Sequence, residues 1–171
     1  MNATARAALT GGAEWLTQFI MSNSARYRLH ESLGYQLSVA ARLQERRLDE
    51  GLKGLGLTRI TWCVLLAVGN ENLLHPSEIA EFVGIDRTAT SRALRQMEAA
   101  GMIARETGTD DRRMTSVKLT DLGCTLLTRG TPLAQQNNAV MESHLTAKES
   151  VQLRQLLRKM REGEDVALPG L

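Results

Sequence analysis

Three arginines and three hydroxyl side chains are mixed within nine residues of this chain, with no acidic residue among them. They are Arg87, Thr88, Thr90, Ser91, Arg92 and Arg95. A guanidinium binds a phosphate, or the paired acceptors of a guanine, through two hydrogen bonds, and hydroxyls contact either backbone or base. Two further arginines, Arg112 and Arg113, follow the polar run Thr109-Asp110-Asp111. This chemistry is the recognition of a polyanion.

The first group of arginines is expected on the second helix of a helix-turn-helix. Pro76 suits the first turn of a helix over Ser77–Val83, and Gly84 supplies the turn after it. Asp86 is the predicted N-cap of the next helix, which runs to about Ala100 and is stopped by Gly101.

One face of that second helix is predicted to be buried. Thr90, Leu94 and Met97 recur at steps of four and three residues, so they share a face. The arginines and remaining hydroxyls lie mostly opposite. If Thr90 is buried, its hydroxyl requires a hydrogen-bond partner.

Arg112 and Arg113 are expected at the tip of a β-hairpin. Alternating residues predict strands over Met102–Glu106 and Met114–Lys118, on either side of the polar turn. The turn's aspartates can bond backbone N–H groups and pair with one arginine. The other guanidinium would project toward phosphate or a narrow minor groove.

Further elements follow from periodicity and capping residues. In chain order these are an amphipathic helix from about Tyr27 to Glu50, a turn formed by Gly51, Gly54 and Gly56 that ends it, a helix over Arg59–Val68 capped by Thr58, and a short strand at Leu73-Leu74. After the hairpin, a helix runs from Thr120 to about Ser143 and is kinked or interrupted by Pro132. A last helix, to about Arg161, is opened by the capping box Thr146-Ala-Lys-Glu149.

Composition narrows the class of protein. The net charge of +2 is small, so polyanion binding must depend on where charge is placed. Cys63 and Cys124 lie far apart without metal-ligand spacing, and the three histidines stand in no catalytic or metal motif. We therefore expect no enzyme activity, no metal and no cofactor. The longest apolar run is too short to cross a membrane and Met1–Met21 does not follow the order of a secretion signal, so a cytoplasmic protein is expected.

The ordered motifs resemble the MarR family of multiple-antibiotic-resistance-type regulators, which are dimeric winged-helix transcription factors. The resemblance extends from about Leu33 to Met160. It is carried by Gly56-Leu-Thr-Arg-Ile-Thr-Trp-Cys-Val-Leu-Leu66, Ser77-Glu-Ile-Ala80, Asp86-Arg-Thr-Ala-Thr-Ser-Arg92, Met97-Glu-Ala-Ala-Gly101-Met-Ile103, Asp111-Arg-Arg113 and Lys118-Leu-Thr-Asp-Leu-Gly123. His75-Pro76 replaces the commoner capping Thr or Ser, and Thr90 and Met97 replace aliphatic residues.

The resemblance implies a mainly α fold with a small β-hairpin wing. The expected divisions are an N-terminal extension (1–24), a dimerisation helix (25–56), a winged helix-turn-helix domain (57–119), C-terminal dimerisation helices (120–162) and a tail (163–171). Apolar stripes in the terminal helices also favour a homodimer, because a small central domain cannot cover them. The residues expected to contact double-stranded DNA are Ser77, Arg87, Thr88, Ser91, Arg92, Arg95, Arg112 and Arg113.

The resemblance also implies control by a small molecule. Members of the family usually respond to small aromatic or phenolic anions held between the dimer helices and the DNA-binding domain. The residues that we place around such a cavity are His30, Tyr35, Ser38, Arg42 and Trp62. The predicted function is a ligand-responsive repressor acting on pseudo-palindromic operators. Two alternatives are a winged-helix module that contacts proteins only and a thiol-based redox sensor.

Overall fold

The computed structural model describes residues 27–107 and 115–163 of the 171. A 3-10 turn over Leu29–Glu31 precedes six helices and one hairpin. The helices are α1 (Leu33–Lys53), α2 (Arg59–Gly69), α3 (Pro76–Val83), α4 (Arg87–Ala99), α5 (Asp121–Glu142) and α6 (Ala147–Lys159). The strands β1 (Ile103–Thr107) and β2 (Thr115–Leu119) lie between α4 and α5. The mainly α, winged helix-turn-helix fold expected from the sequence is confirmed.

The chain divides between Ala41 and Arg42, inside α1, into two compact units. In the first unit, the N–H of Tyr35 donates to Ser32 Oγ at 3.3 Å, so a local cap starts the helix at Leu33. The prediction that the helix begins near Tyr27 was wrong, because the 3-10 turn occupies those residues. No helix within 27–107 and 115–163 is both long and apolar enough to cross a membrane.

In the core of the second unit, buried faces of several helices and of one strand pack together. Its fully buried members include Leu52 of α1, Leu65 of α2, Ile79 of α3 and Leu94 of α4. Val117 of β2 is also fully buried. Burial of such faces supplies most of the stability of short helices like α3 and α4, whose isolated segments would be marginal.

Helix starts follow the predicted caps. The hydroxyls of Thr58, Thr120 and Thr146 accept hydrogen bonds from the N–H groups three residues later. Asp86 caps α4 in the same way, with Oδ1 at 2.7 Å from the N–H of Ala89. Each of these contacts satisfies a helix-end donor that has no partner within its own helix.

Three boundaries differ from expectation. Helix α1 passes through Gly51, where a Cβ would meet Leu133 at ordinary van der Waals distance, and the left-handed residue of the turn is Gly56, with φ at 69°. Leu73 and Leu74 form no strand, although the carbonyl oxygen of Leu74 accepts from the N–H of Val117 at 2.8 Å. Both hairpin strands start and end one residue later than predicted.

Pro132 does not interrupt α5, which is continuous over its 22 residues. Proline removes one backbone hydrogen bond and its ring crowds the preceding turn. The helix persists because Leu126, Leu127 and Ala134 on either side of Pro132 pack on the core.

Candidate DNA-binding surface

The turn between α3 and α4 sets the position of the second helix. Gly84 adopts a left-handed conformation, with φ at 75°, and its N–H donates to the carbonyl oxygen of Ala80 at 2.9 Å. A residue with a Cβ would be strained there. The Asp86 cap follows at once, so α3 ends and α4 begins within three residues.

Helix α4 presents two chemically distinct faces. Its buried residues are Thr90, Ala93, Leu94 and Met97, which confirms the predicted inner face. The residues of the exposed face are Arg87, Thr88, Ser91, Arg92 and Arg95. We call these five residues the α4 basic face. Small hydroxyl side chains between guanidiniums leave room for a helix to approach base edges in a major groove.

The buried hydroxyl of Thr90 has the partner that the sequence required. Thr90 is 1% exposed, and its Oγ1 donates to the carbonyl oxygen of Asp86 at 2.8 Å. This bond to the residue four positions earlier is the usual way that a helix accommodates a buried threonine.

Helix α3 carries the remaining predicted contact on this side. Ser77, in its first turn, is exposed. A carboxylate oxygen of Glu78 accepts from the backbone N–H of His75 at 3.0 Å, so Glu78 performs part of the capping role for which the sequence lacks a Thr or Ser.

The hairpin packs against the core at its base. Ile103 pairs with Leu119, and Arg105 pairs with Val117, in antiparallel register. Residues that oppose each other in such a ladder point to the same side of the sheet. Arg112 and Arg113, predicted at the tip, lie outside the described residues.

An ion pair links the hairpin to α4. Nε of Arg105 lies 2.8 Å from Oε2 of Glu98, and NH2 of Arg105 contacts the same oxygen. The guanidinium lowers the pKa of the Glu98 carboxyl, mainly through this hydrogen bond. This ion pair was not predicted from the sequence. The available signal was that Glu98 is the single acid of α4 and Arg105 lies seven residues later, across a glycine turn.

The residues predicted to surround an effector belong to both compact units. In the first, the rings of His30 and Tyr35 meet edge to face, with centroids 4.6 Å apart, and Ser38 is exposed. In the second, Arg42 lines a surface depression of about 330 Å³ with other residues of α1. Trp62 is 3% exposed and its indole lies against Gly130 of α5.

Cys63 and Cys124 are both unpaired. Burial raises the pKa of the Cys63 thiol, partly offset by Arg59, so the reactive thiolate is disfavoured. Cys124 is exposed in the first turn of α5. Within the described ranges, no group of three His, Cys, Asp or Glu side chains is placed to hold a metal ion.

Comparison with known proteins places the fold in a family. A family model described as the MarR family matches residues 55–114. A cysteine-to-serine variant of MarR from E. coli, solved in complex with operator DNA, matches with a TM-score of 0.69 and 27% identity over 75% of this chain and 92% of that one. Apo wild-type MarR from E. coli also matches at 27% identity, with a TM-score of 0.62 over 75% of this chain and 96% of that one.

Two more distant structures share the fold. BpsR of Bordetella bronchiseptica, whose DNA binding is regulated by 6-hydroxynicotinic acid, matches with a TM-score of 0.73 and 23% identity over 82% of this chain and 100% of that one. The organohalide-sensing regulator RdhR, bound to 2,4-dichlorophenol, matches with a TM-score of 0.73 and 18% identity over 86% of this chain and 92% of that one. The fold and its motifs define a winged-helix DNA-binding transcriptional regulator. The chain is similar to the MarR family: the family model matches residues 55–114, and MarR structures from E. coli match at 27% identity.

Proposed function

We propose that this protein is a ligand-responsive repressor that binds pseudo-palindromic operators as a homodimer and is released by a small aromatic or phenolic anion. The α4 basic face carries the proposal. Its three guanidiniums and two hydroxyls are exposed, while the opposite face of the same short helix is held in the core.

The apolar surface of α6 supports the homodimer. Val151, Leu153, Leu156 and Met160 are 53%, 42%, 50% and 48% exposed, and α6 has no buried residue. A helix whose apolar stripe stays in water gains little from folding, so the stripe needs a covering surface. The occupant we assign is a second copy of this chain, because a two-fold dimer brings two α4 helices to successive half-sites.

The ligands of two similar folds support the effector class. BpsR responds to 6-hydroxynicotinic acid and RdhR binds 2,4-dichlorophenol, which are both small aromatic rings with an acidic hydroxyl or carboxyl group. In this chain the residues proposed to receive such an anion are His30, Tyr35, Ser38, Arg42 and Trp62. A carboxylate suits the Arg42 guanidinium, and an aromatic side chain suits the ring.

Genomic footprinting with the purified protein tests the DNA-binding proposal and supplies the operator. We expect half-sites about 10 base pairs apart. On that operator, Arg92→Ala is expected to relax base preference and to weaken binding by about 1–3 kcal/mol per half-site. Arg28→Ala is the matched control, because Arg28 forms an exposed ion pair with Glu31 before α1. Unchanged affinity and preference for Arg92→Ala would show that α4 does not read DNA.

Truncation after Ser143 tests the dimer. The truncated chain lacks the α6 stripe, so we expect aggregated or unfolded protein in sedimentation analysis. A matched truncation after Gly163 keeps α6 and is expected to remain dimeric. A soluble, folded monomer from the first truncation would contradict the assignment of α6 to the interface.

A panel of hydroxybenzoates, hydroxynicotinates and chlorophenols tests the effector. At least one is expected to release the protein from its operator in an anisotropy titration, and Arg42→Ala is expected to weaken release by carboxylates more than release by phenols. If no member of the panel changes operator affinity, the proposed effector class is wrong.

A further inference from the structure

Glu98 is the only acidic residue of α4, and it lies near the α4 basic face. It comes three residues after Arg95 and seven after Ser91. Side chains seven apart share one face of a helix, two turns from each other, whereas three-residue spacing makes side chains direct neighbours with Cβ atoms about 5–6 Å apart. An uncompensated carboxylate there would repel phosphate and attract the guanidinium of Arg95.

Arg105, on strand β1 of the hairpin, donates hydrogen bonds to this carboxylate. Its partner across the sheet is Val117, which is fully buried, so Arg105 leaves the strand on the side that faces the core. Both Nε and NH2 of Arg105 reach one oxygen of Glu98. The Arg105 side chain is 31% exposed and the Glu98 side chain is 38% exposed, so solvent screens this ion pair only in part.

Arg95 is directed away from Glu98. Its Nε donates to the carbonyl oxygen of Ser91 at 3.3 Å, toward the N-terminal end of α4. Oε2 of Glu98 already accepts two hydrogen bonds from Arg105. The arrangement therefore leaves the charged end of Arg95 at the surface that meets DNA.

We propose that Arg105 is a positioning residue for DNA recognition: by occupying the Glu98 carboxylate, it keeps Arg95 available to DNA and ties the wing to α4. This inference rests on the proposed DNA-binding role of α4. In this scheme Arg105 acts through Glu98, and the hydrogen bond from Arg105 that lowers the pKa of the Glu98 carboxyl favours its ionised form.

The scheme predicts that removing the Glu98 carboxylate restores the operator affinity that is lost with Arg105. In Arg105→Ala, Glu98 is expected to capture Arg95, so that operator affinity falls about tenfold per protomer, as for the loss of one charged hydrogen bond. The slope of log affinity against log salt should fall by about 0.9 per lost phosphate contact. In the double variant Arg105→Ala/Glu98→Gln, Arg95 has no carboxylate partner, so affinity and slope should return to within about threefold and about 0.3 of wild type.

The test is a fluorescence-anisotropy titration of the operator over a salt series, with full-length wild type, Arg105→Ala, Glu98→Gln and the double variant. Arg105→Gln, which keeps more of the side chain, replaces Arg105→Ala if circular dichroism shows that the alanine variant is unfolded. Arg28→Ala serves as the control for removal of an arginine from an exposed ion pair. An unchanged affinity for both Arg105 variants would overturn the proposal. A double variant as weak as Arg105→Ala would also overturn it, because Arg105 would then contact DNA directly or act on the fold alone.

The same series separates this inference from the proposed function. Arg92→Ala and Arg95→Ala are measured beside it. If neither weakens binding, the α4 basic face is not the DNA-binding surface and the proposed function fails. If both weaken binding while the Arg105 and Glu98 variants show no coupling, the proposed function stands and only the positioning role is wrong.

Discussion

Gly130→Ala is expected to destabilise the protein, although alanine is ordinarily the better helix former. Gly130 lies within α5, where its Cα approaches the Trp62 indole. A Cβ would lie 2.8 Å from Cε3 and 3.0 Å from Cη2, and closer still to Cζ3. Atoms cannot approach so closely, so the ring or the helix must shift.

The size of the effect follows from two opposing contributions. Overpacking of a filled core costs about 1–3 kcal/mol, and Trp62 is 3% exposed, within the core. Replacing glycine by alanine inside a helix returns up to about 1 kcal/mol. We therefore expect the free energy of unfolding to fall by about 1–2 kcal/mol.

Gly51→Ala is the matched control. Gly51 also lies within a helix, α1, but its added Cβ would meet Leu133 atoms at 3.7–3.9 Å, which is ordinary contact. Here only the helix preference changes, so a gain of about 0.5–1 kcal/mol is expected. Urea unfolding followed by far-UV circular dichroism, at one protein concentration, compares the three proteins. If Gly130→Ala is as stable as Gly51→Ala, the close packing of Trp62 on α5 is wrong.

The other predictions concern a cap, the wing and acid stability. Asp86→Ala removes the acceptor for the N–H of Ala89 and should lower the free energy of unfolding by about 1 kcal/mol, measured by urea titration; no change would contradict the cap. Arg112→Ala and Arg113→Ala are tested on one operator over a salt series. In at least one of them, the slope of log affinity against log salt should fall by about 0.9 per lost phosphate contact, or roughly 1.8 per dimer. Lines that coincide with wild type for both would show that the wing tip does not touch DNA. The pKa of Glu149 is lowered by hydrogen bonds from the N–H and hydroxyl of Thr146, so its stabilising contribution is present above the unfolded pKa and is lost as pH falls through the lower folded value. Glu149→Gln should therefore flatten the acid limb of stability against pH, and an unchanged limb would show that the capping box contributes nothing there.

The order of helices, the four caps and the two faces of α4 were determined by sequence alone. Each depends on residues no more than a few positions apart. Thr58 and Asp86 bond N–H groups three residues later, and Gly84 provides a left-handed turn by itself. The composition of α4 also separates its buried and exposed faces, because the helical repeat is a local property of the backbone.

Other features depended on contacts between distant parts of the chain. Pro132 and Gly51 are local signals for a break or an end, yet both lie within continuous helices because packing on the core outweighs one missing hydrogen bond or one glycine. The side chain of Asn137 is almost completely buried, and it is satisfied by Arg47 and by the carbonyl oxygen of Gln44, about ninety residues earlier.

The contacts of Trp62 and Arg105 also depend on distant parts of the chain and do not follow from the local sequence. A tryptophan in an apolar helix is predicted to be buried, but only the crossing of α2 and α5 sets its ring against Gly130. An arginine in a hairpin is predicted to face solvent, but the pairing of β1 with β2 turns Arg105 toward Glu98. Sequence therefore determined which elements form and which residue types they carry. The tertiary structure decided which side chains meet, because those contacts join positions that no local repeat relates.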